Sequence, residues 1–172
     1  ETDRVPVSPD ISNYIPCRFT GKPFWNIYVD EQPPLWRAYL DAVERLGIDA
    51  WFIYGDLKFE FESSISAVDA NRVTRTETCW DVEKVIHTPD GDLNQISRIY
   101  ANNPPTKIKK VVEDIQKDFR KFRHLFSKAT GCDPSLFVRQ KKSLGELGMM
   151  GVDISVPGFP TWLSYFNGNL EA

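Results

Sequence analysis

The feature that most constrains the fold is an apolar run that directly follows a helical pattern. Apolar residues recur at helical spacing from Leu35 to Leu46, and Gly47 follows as a residue that commonly ends helices. Residues 48–54 are then almost continuously apolar. Such a run is typical of a strand that is buried on both faces of a parallel sheet. A helix followed at once by a buried strand predicts an α/β protein.

Weaker patterns extend this prediction in both directions along the chain. Residues 5–8 suggest a first strand, and residues 9–33 contain several prolines together with Gly21 and predict a long loop. A strand, a loop, a helix and a buried strand in this order form a βαβ unit. Near the end of the chain, residues 149–156 predict another buried strand.

The middle of the chain has a different character. Residues 73–100 are rich in strand-forming residues around the turn sequence Thr88-Pro89-Asp90-Gly91, which predicts a β-hairpin. Residues 106–128 carry the longest helical stripe, with Thr106 as its cap and a break near Asp118, and residues 134–147 predict a second, shorter helix.

Charge and cysteine content exclude several classes of function. The chain of 172 residues has a formal net charge of −3, whereas general binders of nucleic acid or anionic membranes need a basic face. No apolar run approaches the length of a membrane span, and no signal peptide opens the chain. The three cysteines are widely spaced, so neither a disulfide framework nor a zinc knuckle is indicated. These features predict a cytoplasmic protein.

Three stretches together resemble the uroporphyrinogen decarboxylase superfamily, which includes decarboxylases and corrinoid-dependent methyltransferases. Residues 3–7 are similar to the family's opening strand, and residues 44–56 to the passage that ends in its active-site aspartate. Residues 151–157, followed by Leu163-Ser164-Tyr165 and Gly168, look like the segment that carries its active-site tyrosine. The resemblance covers nearly the whole chain but only about the first half of a family member.

The resemblance implies a fold. The chain is expected to be the N-terminal part of a TIM-type (β/α)8 barrel with an inserted β-hairpin, residues 1–172 forming a single partial domain. A closed barrel needs eight strands and typically ~250 residues, so the expected sheet has an open edge. The parent protein is then expected to be an enzyme, and the isolated chain an inactive fragment that self-associates.

The resemblance also implies roles for four residues. Asp56 follows the buried strand directly, where a family carboxylate stabilises positive charge on a protonated pyrrole ring, and Tyr165 occupies the place of the family's tyrosine. Arg18 and Lys22 lie in the loop where the decarboxylases carry Arg-Gln-x-Gly-Arg for substrate carboxylates. Here that loop reads Cys17-Arg18-Phe19-Thr20-Gly21-Lys22, which suggests a divergent substrate.

Each of these residues also has a purely structural interpretation. Asp56 suits a turn, Tyr165 suits packing, and Arg18 and Lys22 suit a solvated loop. Lys58, Glu60 and Glu62 alternate with Phe59 and Phe61, which predicts a strand with one wet face. His87 and His124 lack partners at metal-ligand spacing, so no metal site is predicted within this chain.

Two chemistries compete under the resemblance. The first is cofactor-free decarboxylation of a tetrapyrrole polycarboxylate. The second is zinc-dependent methyl transfer with a methylated corrinoid protein, where the zinc ligands belong to the second half of the barrel, which this chain lacks. Under either chemistry the expected partner is a small-molecule substrate. The methyltransferase would also bind the corrinoid protein. The expected assembly is a homo-oligomer that binds neither nucleic acid nor membrane.

Overall fold

The computed structural model describes residues 5–152 and 163–166. The described residues form two compact units. The first unit contains the described residues up to Lys58, the short segment Tyr100–Pro104, and the chain from Cys132 to Val152. The second unit contains Phe59–Ile99, Pro105–Gly131 and the described residues 163–166.

The first unit is built from helices on one side of a parallel strand pair. Its helices are α1 (Tyr14–Phe19), α2 (Phe24–Tyr28), α3 (Leu35–Leu46) and α5 (Ser135–Leu144), and its strands are β1 (Ala50–Gly55) and β8 (Gly148–Val152). Residues of α3, β1 and α5 form the main core, which includes Leu40, Val43, Phe52 and Leu144. A second cluster joins Cys17, Phe24 and Ile27 around the two short helices.

Helix α3 confirms the helix that the periodicity predicted. It ends at Leu46, and Gly47 adopts the left-handed conformation, with φ 63° and ψ 33°, while its N–H bonds back to the last turn. Only glycine enters this region without a steric cost, so the C-terminal cap is encoded by one residue. The cap turns the chain directly toward β1.

Strand β1 differs from its prediction in burial. Ala50 and Phe52 are buried against the helices, whereas Trp51 and Ile53 on the opposite face are 61% and 46% exposed. The apolar run therefore describes a strand that is covered on one face within the described residues, not on both. β1 pairs in parallel with β8, with Trp51 opposite Met149.

The second unit is mainly antiparallel. Strands β3 (Ala67–Arg75), β4 (Cys79–Thr88), β5 (Gly91–Tyr100) and β6 (Thr106–Lys109) form one sheet in sequence order. β4 and β5 confirm the hairpin predicted around Pro89. A second sheet pairs β2 (Lys58–Glu62) with β7 (Lys128–Asp133). The prediction of one wet face for β2 is wrong, since all its residues are exposed.

The long helix predicted over residues 106–128 is also wrong in its first half. Thr106 begins β6, and the helix α4 covers Ile115–Phe122, followed by a 3₁₀ turn at Arg123–Leu125. Asp114 is the residue that caps α4, because its carboxylate accepts from the N–H groups of Gln116 and Lys117. The second predicted helix is confirmed as α5 with the 3₁₀ turn Gly145–Leu147 that follows it.

The expected TIM-type barrel is wrong. The described strands form three small separate sheets. β1 pairs with β8 in parallel, whereas β3 pairs with β4, and β5 with β6, in antiparallel. Residues 5–8 form no strand, so the expected βαβ unit lacks its first member. The structure is a small mixed α/β fold with short strands. The remainder of the expected strand 149–156 beyond Val152 lies outside the described residues.

Candidate functional site

The first unit contains an open cleft of about 730 Å³ beside the C-terminal end of β1. This volume falls within the usual range for sites that bind small molecules. Three aromatic side chains, Tyr28, Trp36 and Tyr54, contribute to the wall. Charged side chains also line the cleft: Glu31, Asp56, Lys58, Arg139 and Lys142.

Asp56 is placed at the cleft by its backbone. Its N–H donates to Oε1 of Gln140 at 2.9 Å, and Gln140 is almost completely buried on α5. The buried amide thereby links the end of β1 to α5, while the Asp56 side chain stays exposed at the cleft. The location after a strand end agrees with the position expected for Asp56, and its catalytic role stays a prediction.

The charges of the cleft are not paired with one another. None of its five charged side chains forms an ion pair with another described residue. Lys58 and Arg139 both lie within electrostatic range of Asp133. The pKa of Asp133 is lowered mainly because the N–H and hydroxyl of Ser135 donate to its carboxylate, at 2.9 and 3.0 Å, and the two cations add to this effect. Three cations against two carboxylates leave the lining with a net positive charge.

Tyr28 and Tyr54 are cleft-lining tyrosines whose ionisation is suppressed by burial. The Tyr54 hydroxyl donates to the side-chain oxygen of Asn13, and the buried Tyr28 hydroxyl lies close to Asn13 and to the Cys17 thiol. Burial raises the pKa of Tyr28 to about 12 and that of Tyr54 as well, so both stay protonated at neutral pH. Burial also raises the pKa of the neighbouring Cys17 thiol to about 11, which makes it a poor nucleophile.

Tyr165 lies in the second unit, in an aromatic cluster. Its ring centroid is 5.3 Å from that of Phe122 and 6.1 Å from that of Phe126, and the Lys107 ammonium lies 5.6 Å from the ring centre. Its backbone carbonyl accepts from the N–H of Val112. These contacts are those of a packing residue. The segment around Gly168 that shared in the resemblance lies outside the described residues.

Arg18 and Lys22 lie on and after α1 and do not line the cleft. The Arg18 guanidinium is 5.8 Å from the centre of the Tyr14 ring, and Lys22 Nζ donates to the Gln32 carbonyl at 3.1 Å. Both side chains are exposed. Their expected role in binding a carboxylate stays a prediction, and the cations at the cleft are Lys58, Arg139 and Lys142 instead.

Sequence reasoning missed most of the residues that line the cleft. The sequence predicts Lys58 in a strand with one wet face, and Arg139, Gln140 and Tyr28 belong to no motif. Arg139 and Lys142 are three residues apart on α5 and so lie on the same helical face. Their approach to the end of β1 depends on the pairing of β1 with β8, which no local pattern indicates.

A second polar arrangement in the other unit looks like a nucleophilic triad. Ser64 Oγ lies 2.7 Å from Nδ1 of His124, whose Nε2 lies 2.8 Å from Oδ2 of Asp90. In serine hydrolases the serine bonds to Nε2 and the carboxylate to Nδ1, which is the reverse of this arrangement. Arg123 also binds Asp90, at 3.1 Å. These contacts connect Ser64 and the 3₁₀ turn at Arg123–Leu125 to Asp90 in the β4–β5 turn.

No metal site is found among the described residues. Within residues 5–152 and 163–166, no three His, Cys, Asp or Glu side chains are grouped so that they could hold a metal ion. All three cysteines are free. No helix in this part of the chain is long and apolar enough to cross a membrane.

Comparison with known proteins adds no family. No protein-family model, curated protein or solved structure matches the chain. The resemblance described above therefore stays a prediction that rests on its own residues.

Proposed function

We propose that the chain is part of an enzyme that acts on a small molecule with several carboxylate groups, bound in the cleft beside Asp56. The observation that carries the proposal is the lining of this cleft, where Lys58, Arg139 and Lys142 stand without ion-pair partners among the described residues. Cations that line one cleft without ion-pair partners favour an anionic ligand. The aromatic side chains supply a surface for an apolar or planar body.

Asp56 supplies the negative charge that the proposed reaction needs. A carboxylate at the strand end repels a bound carboxylate in the ground state and stabilises a positive charge that develops on the ligand. A decarboxylation through a protonated ring has this charge pattern, because the ring accepts the electron pair of the bond to the departing CO2. The resemblance of residues 44–56 to the decarboxylases supports the same role. A cytoplasmic location is part of the proposal.

Binding is tested first. The 172-residue chain is titrated calorimetrically with pyromellitate, a benzene ring that bears four carboxylates, and with a porphyrin tetracarboxylate. We expect binding that weakens as salt is raised and that falls roughly tenfold in Arg139→Gln, about the effect of losing one charge-assisted hydrogen bond. Lys141→Gln is the matched control, since Lys141 is an exposed cation on the same helix that does not line the cleft.

The role of Asp56 is tested with Asp56→Asn. This change removes the repulsion and keeps the shape, so pyromellitate should bind a few-fold more tightly. The rate at which CO2 is released from a reduced porphyrin polycarboxylate should be roughly a hundredfold or more lower for Asp56→Asn than for the wild type.

The binding comparison has a clear negative outcome. Equal binding by the wild type, Arg139→Gln and Lys141→Gln would exclude the cleft as the anion site.

A further inference from the structure

A second pocket in the first unit lies between β1 and the segment that precedes α1. Its volume is about 440 Å³, which falls within the usual range for sites that bind small molecules. Residues 8–13 form one wall, and side chains of α3 and β1 complete the lining. Apart from Tyr54, none of the described residues that line this pocket also lines the cleft.

The wall formed by residues 8–13 is fastened at both of its ends to the chain around β1. At one end, the Val7 N–H donates to Oδ2 of Asp49 at 2.6 Å, and the Asp49 N–H donates to the Val7 carbonyl at 2.8 Å. At the other end, the Tyr54 hydroxyl donates to the side-chain oxygen of Asn13. These bonds hold the segment beside the strand, so the pocket is built into the folded unit.

Asp10 gives this pocket a negative charge. Among the described residues that line it, Asp10 alone has a charged side chain, and it forms no ion pair with another described residue. Its Oδ1 accepts from the N–H of Ser12 at 2.7 Å, which orients the carboxylate. Burial raises the pKa of Tyr39 and of Tyr54, and the charge of Asp10 adds to both effects. The carboxylate therefore lies within electrostatic range of both hydroxyl groups.

Three aromatic side chains line the pocket beside this charge. Trp51 is 61% exposed on the outer face of β1, and Tyr39 and Tyr54 line the pocket with it. The face of an aromatic ring attracts a cation, and a carboxylate accepts charge-assisted hydrogen bonds from an ammonium group. The pocket thus differs from the cleft, whose lining carries a net positive charge, and selects ligands of the opposite sign.

We propose that this pocket binds a small organic amine in its cationic form. The ammonium group binds the Asp10 carboxylate, and the apolar body of the amine lies against Trp51. An anionic ligand is repelled by the unpaired carboxylate, and a neutral one gains nothing from its charge. This inference is independent of the proposed function, because neither Asp56 nor Arg139 lines the pocket.

The test is a titration of the isotope-labelled chain with phenethylamine, a cation at neutral pH, followed through the amide chemical shifts. We expect the shifts to concentrate in residues 8–13 and 51–54. Phenethyl alcohol has nearly the same shape without the charge, and it should bind roughly tenfold more weakly. This comparison uses the wild type alone and so does not depend on the folding of any variant.

Three variants locate the charge and the aromatic surface. Asp10→Asn keeps an acceptor for the Ser12 N–H but removes the charge, and should weaken phenethylamine binding roughly tenfold. Trp51→Leu should weaken it roughly fivefold. Glu44→Gln is the matched control with wild-type affinity, since Glu44 is an exposed carboxylate of the same unit that does not line the pocket.

Several results would overturn the inference. Equal affinities for phenethylamine and phenethyl alcohol, or equal binding by the wild type and Asp10→Asn, would show an apolar pocket without selection for a cation. Binding of methyl glucoside at residues 8–13 without binding of phenethylamine would assign the pocket to a sugar instead. Shifts confined to other parts of the chain would exclude the pocket. None of these results bears on the binding of pyromellitate in the cleft.

Discussion

At the scale of the residue, Gln140 connects the fold to the candidate site. It is 1% exposed, and its side-chain oxygen accepts from the N–H of Asp56 at 2.9 Å. A buried amide side chain is tolerated only when it is hydrogen-bonded, because transfer out of water costs free energy. The same bond fixes the chain just beyond β1, and so fixes the point from which the Asp56 carboxylate reaches the cleft.

We predict that Gln140→Met destabilises the protein and loosens the position of Asp56 at the cleft. The change keeps the approximate volume but removes the acceptor, which leaves the partly buried Asp56 N–H unsatisfied. The expected loss in the free energy of unfolding is roughly 1–3 kcal/mol, measured by urea denaturation. Lys141→Met, at an exposed position of the same helix, should be nearly neutral. Equal effects of the two changes would show that the bond carries no stability.

At the scale of the element, α4 shows how one side chain sets the beginning of a helix. The apolar stripe runs through residues 108–126 and is compatible with a helix over its whole length. Asp114 stops the helix from extending backward, because its carboxylate binds the N–H groups of Gln116 and Lys117 as a cap does. Residues 106–109 join β5 as strand β6 instead.

This cap predicts a pH dependence. Hydrogen bonding from the Lys117 side chain, with further bonds from the backbone, lowers the pKa of Asp114 below its usual value of about 3.9. A carboxyl group with a lowered pKa in the folded state contributes stability above the pKa of the unfolded chain. That stability is lost as the pH falls through the lowered folded value, and so below about pH 4.

The measurement compares wild type with Asp114→Asn. Asparagine caps helices about as well as aspartate but does not titrate. Urea midpoints recorded between pH 7 and pH 2.5 should therefore converge at the acidic end, with the wild type more stable at neutral pH. Parallel curves for the two proteins would show that the charge of Asp114 does not contribute to the stability of the helix.

At the scale of the whole molecule, each unit has a hydrophobic core of its own. Phe52 lies in the core of the first unit, and Phe122 in that of the second. Phe122 is 1% exposed, and its ring centroid lies 5.1 Å from that of Phe126, 5.3 Å from that of Tyr165 and 5.6 Å from that of Phe166. Aromatic rings at these distances contribute beyond their buried area.

We predict that Phe122→Ala destabilises the second unit by about 3–5 kcal/mol, the usual cost of removing a buried aromatic ring. Hydrogen exchange should then accelerate most in α4 and β5, while α3 and β1 retain more protection. Phe119→Ala is the control, since Phe119 lies on the same helix with 54% exposure. Equal loss of protection throughout both units would show that the chain unfolds as one cooperative structure.

The sequence by itself determined the elements whose signals are local. Helix α3 and its glycine cap, the hairpin at Pro89 and helix α5 depend on spacing and on the conformational preferences of single residues, so their patterns were sufficient. The position of Asp56 just beyond β1 likewise follows from its place after an apolar run, while its catalytic role stays a prediction. These features depend on interactions within a few residues along the chain, which a single sequence displays directly.

Tertiary structure decided which strands pair and which side chains meet. The pairing of β1 with β8 joins segments that are nearly a hundred residues apart, and it brings Arg139 and Gln140 to the end of β1. The barrel prediction failed because an apolar run indicates a strand but not its partners or the cover of its two faces.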